Sequence, residues 1–242
     1  MDRIKIKKLV KWLKKAENAI AFTGAGMSTE SGLADFRSEN GLWEKFDPKE
    51  LATKNAFKNN YSEFSSFYKF RLESILSCSP HAGHEILARW ERKGLLKGVI
   101  TQNVDGFHQK AGSQNVMELH GALHKFYCDN CRQEKDSESF KNKEFNCKYC
   151  GGKIRPAVVL FGESLPQKEW EQAFYLVEKA DLMLVIGTSL EVSPANQLPL
   201  SFWGQGPLVL INKDKTPFSK KFDLHLPGSA GEILLEIDNL MS

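Results

Sequence analysis

The chain lacks any stretch of about 20 consecutive apolar residues, the length a helix needs to cross a bilayer. It lacks an excess of either charge: 33 Lys and Arg against 30 Asp and Glu leave +3. That balance argues against a surface that binds polyanions over its whole extent, although a local basic patch stays open. It lacks Gly-x-x-x-x-Gly-Lys-Ser/Thr, which argues against a P-loop nucleotidase. Internal repeats and low-complexity linkers are also missing. The basic N-terminal segment (Lys5, Lys7, Lys8, Lys11, Lys14, Lys15) has no apolar run after it, so it does not read as a signal peptide. Leu9, Trp12, Leu13 and Ala16 follow helical spacing there and predict a surface helix. Without a leader, the expected location is cytoplasmic.

What is present is ordinary for a globular protein: 242 residues, 41% hydrophobic and 26% charged. The length suits one large domain or one domain with a smaller insert. Short apolar runs recur at 19–23, 96–101, 181–186, 207–211 and 223–226. Most lack strict alternation, as strands buried on both faces of a parallel sheet do. Helical patterns sit between them. Ser79 and Pro80 predict the start of a helix that runs to Lys93 and stops at Gly94. Further helices are predicted over 167–179 and 230–240. Strands alternating with helices indicate an α/β fold with a doubly wound parallel sheet. Two segments break the rhythm: 38–77, aromatic and polar with helical spacing, and 126–153, polar and cysteine-bearing. Both read as insertions that build a smaller lobe.

Residues 22–37 read FTGAGMSTESGLADFR. A strand entering Gly24-Ala25-Gly26 before a polar stretch has the layout of a phosphate cradle, with small residues and a following helix N-terminus. The dehydrogenase fingerprint is incomplete, because Thr29 stands where its third glycine belongs, and an ordinary strand–helix turn is the other reading. Phe36 and Arg37 could cover a nucleotide beside this cradle; equally, Phe36 is read as core. After the run at 96–101 come Gln102, Asn103 and Asp105, where an open α/β sheet binds ligands, or where Asn and Asp cap a turn. His120, beside Gly121, is either a general base with a pKa suited to neutral pH or a structural histidine.

Five cysteines occur, four of them within 23 consecutive residues. Cys128-x-x-Cys131 and Cys147-x-x-Cys150, separated by 15 residues, have the spacing of a four-thiolate zinc site. Such a closed shell leaves no open coordination position, so the zinc would be structural. An iron–sulfur cluster or two disulfides fit less well. Cys78 reads as a small buried residue.

Taken together, GAGMSTESGLADFR, TQNVDGFH, ELHG, the two CxxC knuckles, RPAVVLFGE, GTSLEVSPA and Ile211-Asn212 resemble, in order, the sirtuins, the NAD-dependent protein-lysine deacylases. The likeness spans about residues 18–232. It implies a Rossmann-like NAD-binding domain from 1–37, 78–125 and 154–242, with a helical module at 38–77 and a zinc module at 126–153. By the same likeness, Gly24, Ala25, Thr29, Phe36 and Arg37 cover the phosphates and nicotinamide ribose. Gln102, Asn103, Val104 and Asp105 form the nicotinamide pocket. Gly187, Thr188, Ser189, Asn212 and Ala230 face the adenosine half. Val159, Phe161 and Gly162 on one side, and Glu191 and Val192 on the other, would take an acylated-lysine peptide as an added strand.

The resemblance also implies the chemistry. The acyl oxygen attacks the ribose and displaces nicotinamide, and His120 deprotonates the ribose hydroxyl that then takes the acyl group. The zinc would stay structural. No nucleic-acid or membrane partner is expected. Ala34, where the family usually has Pro, and Phe107, where it usually has Leu, depart from the pattern without touching this chemistry. Tyr68 and Arg71, at i and i+3 on one helix face, resemble the branch that accepts acidic acyl groups. A structural aromatic and a solvated arginine are the plainer reading. Mono-ADP-ribosyl transfer at the same NAD site, or a non-catalytic zinc-ribbon binding protein, are the competing functions.

Overall fold

The five apolar runs become five of the six strands of one sheet. The computed structural model describes residues 2–36, 38–39 and 41–241. Its strands in chain order are β1 (Ala19–Thr23), β2 (Val99–Thr101), β3 (Val116–Glu118), β4 (Gly121–Cys128), β5 (Glu134–Lys135), β6 (Ile154–Val158), β7 (Leu182–Ile186), β8 (Leu208–Ile211) and β9 (Leu224–Leu226). Six of them form one parallel sheet in the order β3-β2-β1-β7-β8-β9. The doubly wound parallel sheet read from the sequence is present.

The missing alternation now has its cause. β1, β7 and β8 are buried at every position. Ala19, Ala21, Leu182, Leu184, Val209 and Ile211 pack on one face, with the helices Arg3–Lys15, Ala82–Arg92 and Ala230–Met241. Ile20, Phe22, Met183, Val185, Leu208 and Leu210 pack on the other, with Gln167–Lys179 and Gln197–Phe202. A sheet covered on both faces has no solvent side to demand a polar residue.

Most predicted boundaries agree closely. Gln167–Lys179 matches its prediction, and Ala230–Met241 runs one residue longer. In the N-terminal helix Ile6, Leu9, Val10 and Leu13 are buried, while Trp12 and Ala16 are only partly so. The helix expected to start at Ser79–Pro80 instead begins at Ala82. The reason is a pair of imidazoles: His81 caps the helix by accepting from Gly83 N, and His84 accepts from His81 N. β3 was not read from the sequence, because three residues ending in a carboxylate carry too little pattern.

The second sheet, β5-β4-β6, is antiparallel. The expected boundary at 125/126 falls inside β4, and β6 begins at Ile154 yet pairs with β4, so this small sheet draws residues from both sides of those expected limits. A third apolar cluster joins it to the long helix Tyr61–Leu76 through Phe64, Phe67, Tyr68, Leu72, Phe126, Phe140 and Ile154. The aromatic spacing of 57–68 is thereby explained as core.

Candidate active site

Parallel strands point their C-terminal ends to one side, and the strand order of the large sheet reverses between β1 and β7, which opens a crevice there. The polar motifs follow directly from these ends: Gly24 after β1, Gln102 and Asn103 after β2, His120 two residues after β3, Gly187–Ser189 after β7 and Asn212 after β8. Residues remote in sequence are neighbours because their strands are.

The glycine loops touch each other. Gly24 N donates to Ile186 O and Gly26 N to Gly187 O. A Cβ on Gly187, which has φ +62°, would lie 2.2 Å from Met27 N, and one on Gly26 would lie 2.9 Å from Gly187 Cα. The loop then forms two single 3-10 turns, Ala25–Met27 and Thr29–Ser31, where a full helix was expected. Met27 N and Ser28 N bond back to Gly24 O and Ala25 O, and Thr29 Oγ1 donates to Gly26 O. The loop therefore offers close approach through small residues more than a crown of free N–H donors. Its glycines are spent on the contact with residues 186–188.

A cavity of about 210 Å³ opens below this loop, between the two sheets. Of the expected cofactor residues, Ala25, Phe36, Gln102, Asn103, Val104, Asp105 and His120 line it. Gly24, Thr29, Gly187, Thr188, Ser189 and Asn212 are outside this lining. Asn212 spends its side-chain amide on Asp214 O. Ala230 is 4% exposed and packed in the core, so its side chain offers no surface to a ligand. Arg37 lies outside the described residues. Of the expected substrate residues, Tyr68, Arg71, Val159, Phe161, Gly162 and Val192 line the cavity, and Glu191 is exposed beside it.

His120 Nδ1 lies 3.0 Å from Gln102 O. A carbonyl only accepts, so Nδ1 carries the proton and Nε2 keeps its lone pair. Burial lowers the His120 pKa, with the Gln102 bond working against it. The ring is thus a neutral base at neutral pH. Its own carbonyl accepts from Val159 N at 2.9 Å, which ties the base to the wall expected to hold the peptide. Gln102 Nε2 donates to Thr188 Oγ1 at 2.9 Å, joining the second and fourth strand ends across β1.

Asp105 is held from behind. It accepts from Phe107 N at 2.9 Å and from Ser28 Oγ at 2.8 Å, and Asn103 Nδ2 donates to the same Ser28 Oγ at 3.2 Å. Burial raises the Asp105 pKa against these bonds and the Arg71 charge. Two buried histidines that were not among the expected site residues complete this backing. His84 Nε2 is 3.5 Å from Ser28 Oγ, and His108 Nε2 is 2.9 Å from Thr23 Oγ1. Burial holds His84 down to about 2 and His108 to about 3, so both are neutral. The His-x-x-His spacing of 81–84 was the available signal. Trp43 was missed as well: its ring lies tilted against Phe36, with centroids 5.1 Å apart, and it lines the cavity.

Tyr68 and Arg71 share a face of Tyr61–Leu76, as their spacing required. The Arg71 guanidinium stands 5.1 Å over the Phe36 ring, and no carboxylate pairs with it among the described ion pairs. Burial lowers its pKa, while Tyr68 and Asp105 pull the other way.

The four clustered cysteines converge apart from the cavity. Their sulfurs lie within 4.8 Å of one another, with Cys128–Cys150 at 3.5 Å and Cys131–Cys147 at 3.7 Å. A tetrahedral zinc with Zn–S of about 2.3 Å spaces its sulfurs about 3.8 Å apart. The set fits one zinc, and four thiolates close its shell. Lying on β4 and in the turns around it, the ion would pin the small sheet and take no part in catalysis.

The comparisons with known proteins agree with this geometry. The model of the Sir2 family matches residues 24–194. An NAD-dependent protein deacetylase of Oceanobacillus iheyensis is 48% identical over 94% of this chain and 98% of its own length. A Sir2 homologue solved with ADP ribose superposes with a TM-score of 0.93 at 39% identity, covering 97% of this chain and 96% of the other. A Sir2 structure holding a deacetylated p53 peptide and 3′-O-acetyl ADP ribose superposes at 0.90 with 37% identity and 98% of each chain covered. By family model, by sequence and by fold, this chain belongs to the Sir2 family.

Proposed function

We propose that this chain is an NAD-dependent protein-lysine deacylase that moves the acyl group of a modified lysine onto ADP-ribose and releases nicotinamide. The observation that carries the proposal is the neutral His120, with Nδ1 fixed on Gln102 O and Nε2 free at the wall of a cavity shared by the expected nucleotide and peptide residues. NAD supplies the ribose that accepts the acyl group and the nicotinamide that leaves. The chain does the rest. Asp105, fixed by Phe107 N and Ser28, presents a polar edge for the carboxamide together with the Val104 backbone. Phe36, held by Trp43, covers the apolar side and excludes water. His120 Nε2 takes the proton from the ribose hydroxyl.

The acylated peptide would lie between 159–162 and 191–192. Val159, Leu160 and Phe161 already donate their N–H groups to His120 O, Glu163 Oε2 and Ala52 O. A peptide laid there meets their carbonyl oxygens and Gly162. Segments 38–77 and 126–153 would act as the smaller lobe across the cleft. The acyl preference includes acidic groups, because Tyr68 and the carboxylate-free guanidinium of Arg71 face the cavity. Thiols close enough to share a metal belong in a reducing compartment, which supports a cytoplasmic location. No helix among the described residues is long and apolar enough to cross a membrane.

The test is mass spectrometry of the products from NAD and an acetyl-lysine peptide. Nicotinamide and O-acetyl-ADP-ribose in equal amounts are expected. ADP-ribose attached to protein would favour mono-ADP-ribosyl transfer, and untouched NAD would favour a binding protein.

A further inference from the structure

A second hollow, of about 230 Å³, shares Glu163 with the cavity as a lining residue. Its floor is an ion pair. Arg155, 4% exposed, donates to Glu163 at 2.8 and 2.9 Å and to Val158 O at 3.0 Å. Most of the charge of Glu163 is therefore spent on Arg155, although Lys54 also acts on it. The rim carries Lys54, Lys58 and Arg132, with Asp129 as the one remaining carboxylate among the lining residues. No carboxylate lies within 4 Å of those three cations among the described ion pairs. The Tyr127 ring sits between Arg132 and Arg155, at 5.2 and 5.6 Å. Lys153 Nζ, bonded to Lys58 O at 2.9 Å, adds another positive charge behind the rim.

The position of this hollow matters as much as its sign. Thr53 pairs with Phe161 as a short parallel bridge, and Phe161 N donates to Ala52 O. Lys54 thus begins its helix one residue from the wall at 159–162, and Glu163 ends that wall. A strand advances about 3.3 Å per residue. Side chains roughly two to five positions from an acyl-lysine held at that wall would reach the hollow.

We propose that this hollow takes an anionic side chain of the protein substrate, an Asp, a Glu or a phosphorylated residue flanking the acyl-lysine, and so sets a preference for acidic sequence context. The inference rests on the deacylase reading above. Its test compares acetyl-lysine peptides with neutral flanks, with Glu at successive positions on either side, and with phosphoserine at the best of these. The wild type and a Lys54→Ala/Lys58→Ala variant are both assayed; alanine keeps the helix, and neither lysine belongs to the catalytic cavity.

The expected result is a KM lower by roughly fivefold for the best acidic peptide, from exposed charge pairs. That gain shrinks as salt rises, and it disappears in the variant while neutral peptides keep their wild-type rates. Phosphoserine exceeding Glu would name a phosphorylated partner, and equal gains a carboxylate one. Equal KM for acidic and neutral peptides, or an equal loss on both in the variant, overturns the proposal. Absence of turnover on the neutral peptide in the wild type would instead strike the deacylase reading.

Discussion

An imidazole serves as a base only if one nitrogen holds a lone pair at working pH and the other is fixed. Gln102 O meets the second condition at His120, and burial meets the first by lowering the pKa below its ordinary 6.5. The acid limb of kcat/KM should accordingly fall below pH 6.5, because protonation removes the base only there; a limb at or above 6.5 would contradict this. Replacing the proposed base, His120→Ala, should cut kcat by roughly 10²–10⁴-fold. NAD binding, measured by calorimetry, should persist, since Phe36, Asn103 and Asp105 are untouched. Arg71 belongs to the same scale. A charge-assisted pair with a distal carboxylate is worth about 1.5–3 kcal/mol. Arg71→Met should lower kcat/KM on succinyl-lysine peptide by roughly 10–100-fold and leave acetyl-lysine nearly unchanged. Equal losses on both substrates would reduce Arg71 to a support for Phe36.

Elements place these side chains, and here glycine decides. Gly187 combines φ +62° with a backbone contact that leaves no room for a methyl group. Gly187→Ala should cost about 3 kcal/mol through left-handed strain and overpacking, read as a lowered urea midpoint with unchanged slope. NAD affinity should fall with it, because the loop 24–29 rests on that contact. The sequence showed glycines at both positions but not that they face each other. It suggested a phosphate cradle with a helix behind it, whereas two 3-10 turns and internal bonds use most of the loop's N–H groups. The helix 82–92 teaches a similar lesson: Pro80 and Ser79 looked like the start, but the imidazoles of His81 and His84 satisfy the first N–H groups two residues later.

At the scale of the whole molecule, two buried histidines and one metal set couple stability to conditions. His84 and His108 are held at about 2 and about 3 in the fold and return to about 6.5 on unfolding. The unfolded chain therefore binds more protons below pH 6.5, and stability drops as pH falls from there toward 3 and 2. Between pH 7 and 5 each should remove about 2 kcal/mol. Asp105, with its pKa raised, opposes this trend. Denaturant unfolding across that range checks the sign, and a midpoint that rises toward pH 5 would contradict it. Chelating the zinc should lower the melting temperature by more than about 5 °C, with recovery on adding zinc back, because the binding energy of the metal is folding energy and the small sheet loses its pin.

The parallel sheet and the zinc set follow from local pattern alone. Unbroken runs of Val, Ile, Leu and Phe can be stable only when buried on both faces, and two CxxC knuckles at that spacing leave few other chemistries. Local pattern also placed the polar motifs after strands, which made Gln102, Asn103, Asp105 and His120 visible as candidates. Which of them meet depends on the folded chain. β3, too short to show a pattern, delivers His120 to the Gln102 carbonyl. The reversal of strand order between β1 and β7 opens the crevice. Ala230 goes to the core, and the polar segments 54–58 and 127–132 close around Arg155 and Glu163. Local pattern fixes what a segment must bury, whereas the pairing of distant strand ends and the charge balance of a hollow depend on contacts that no local stretch contains.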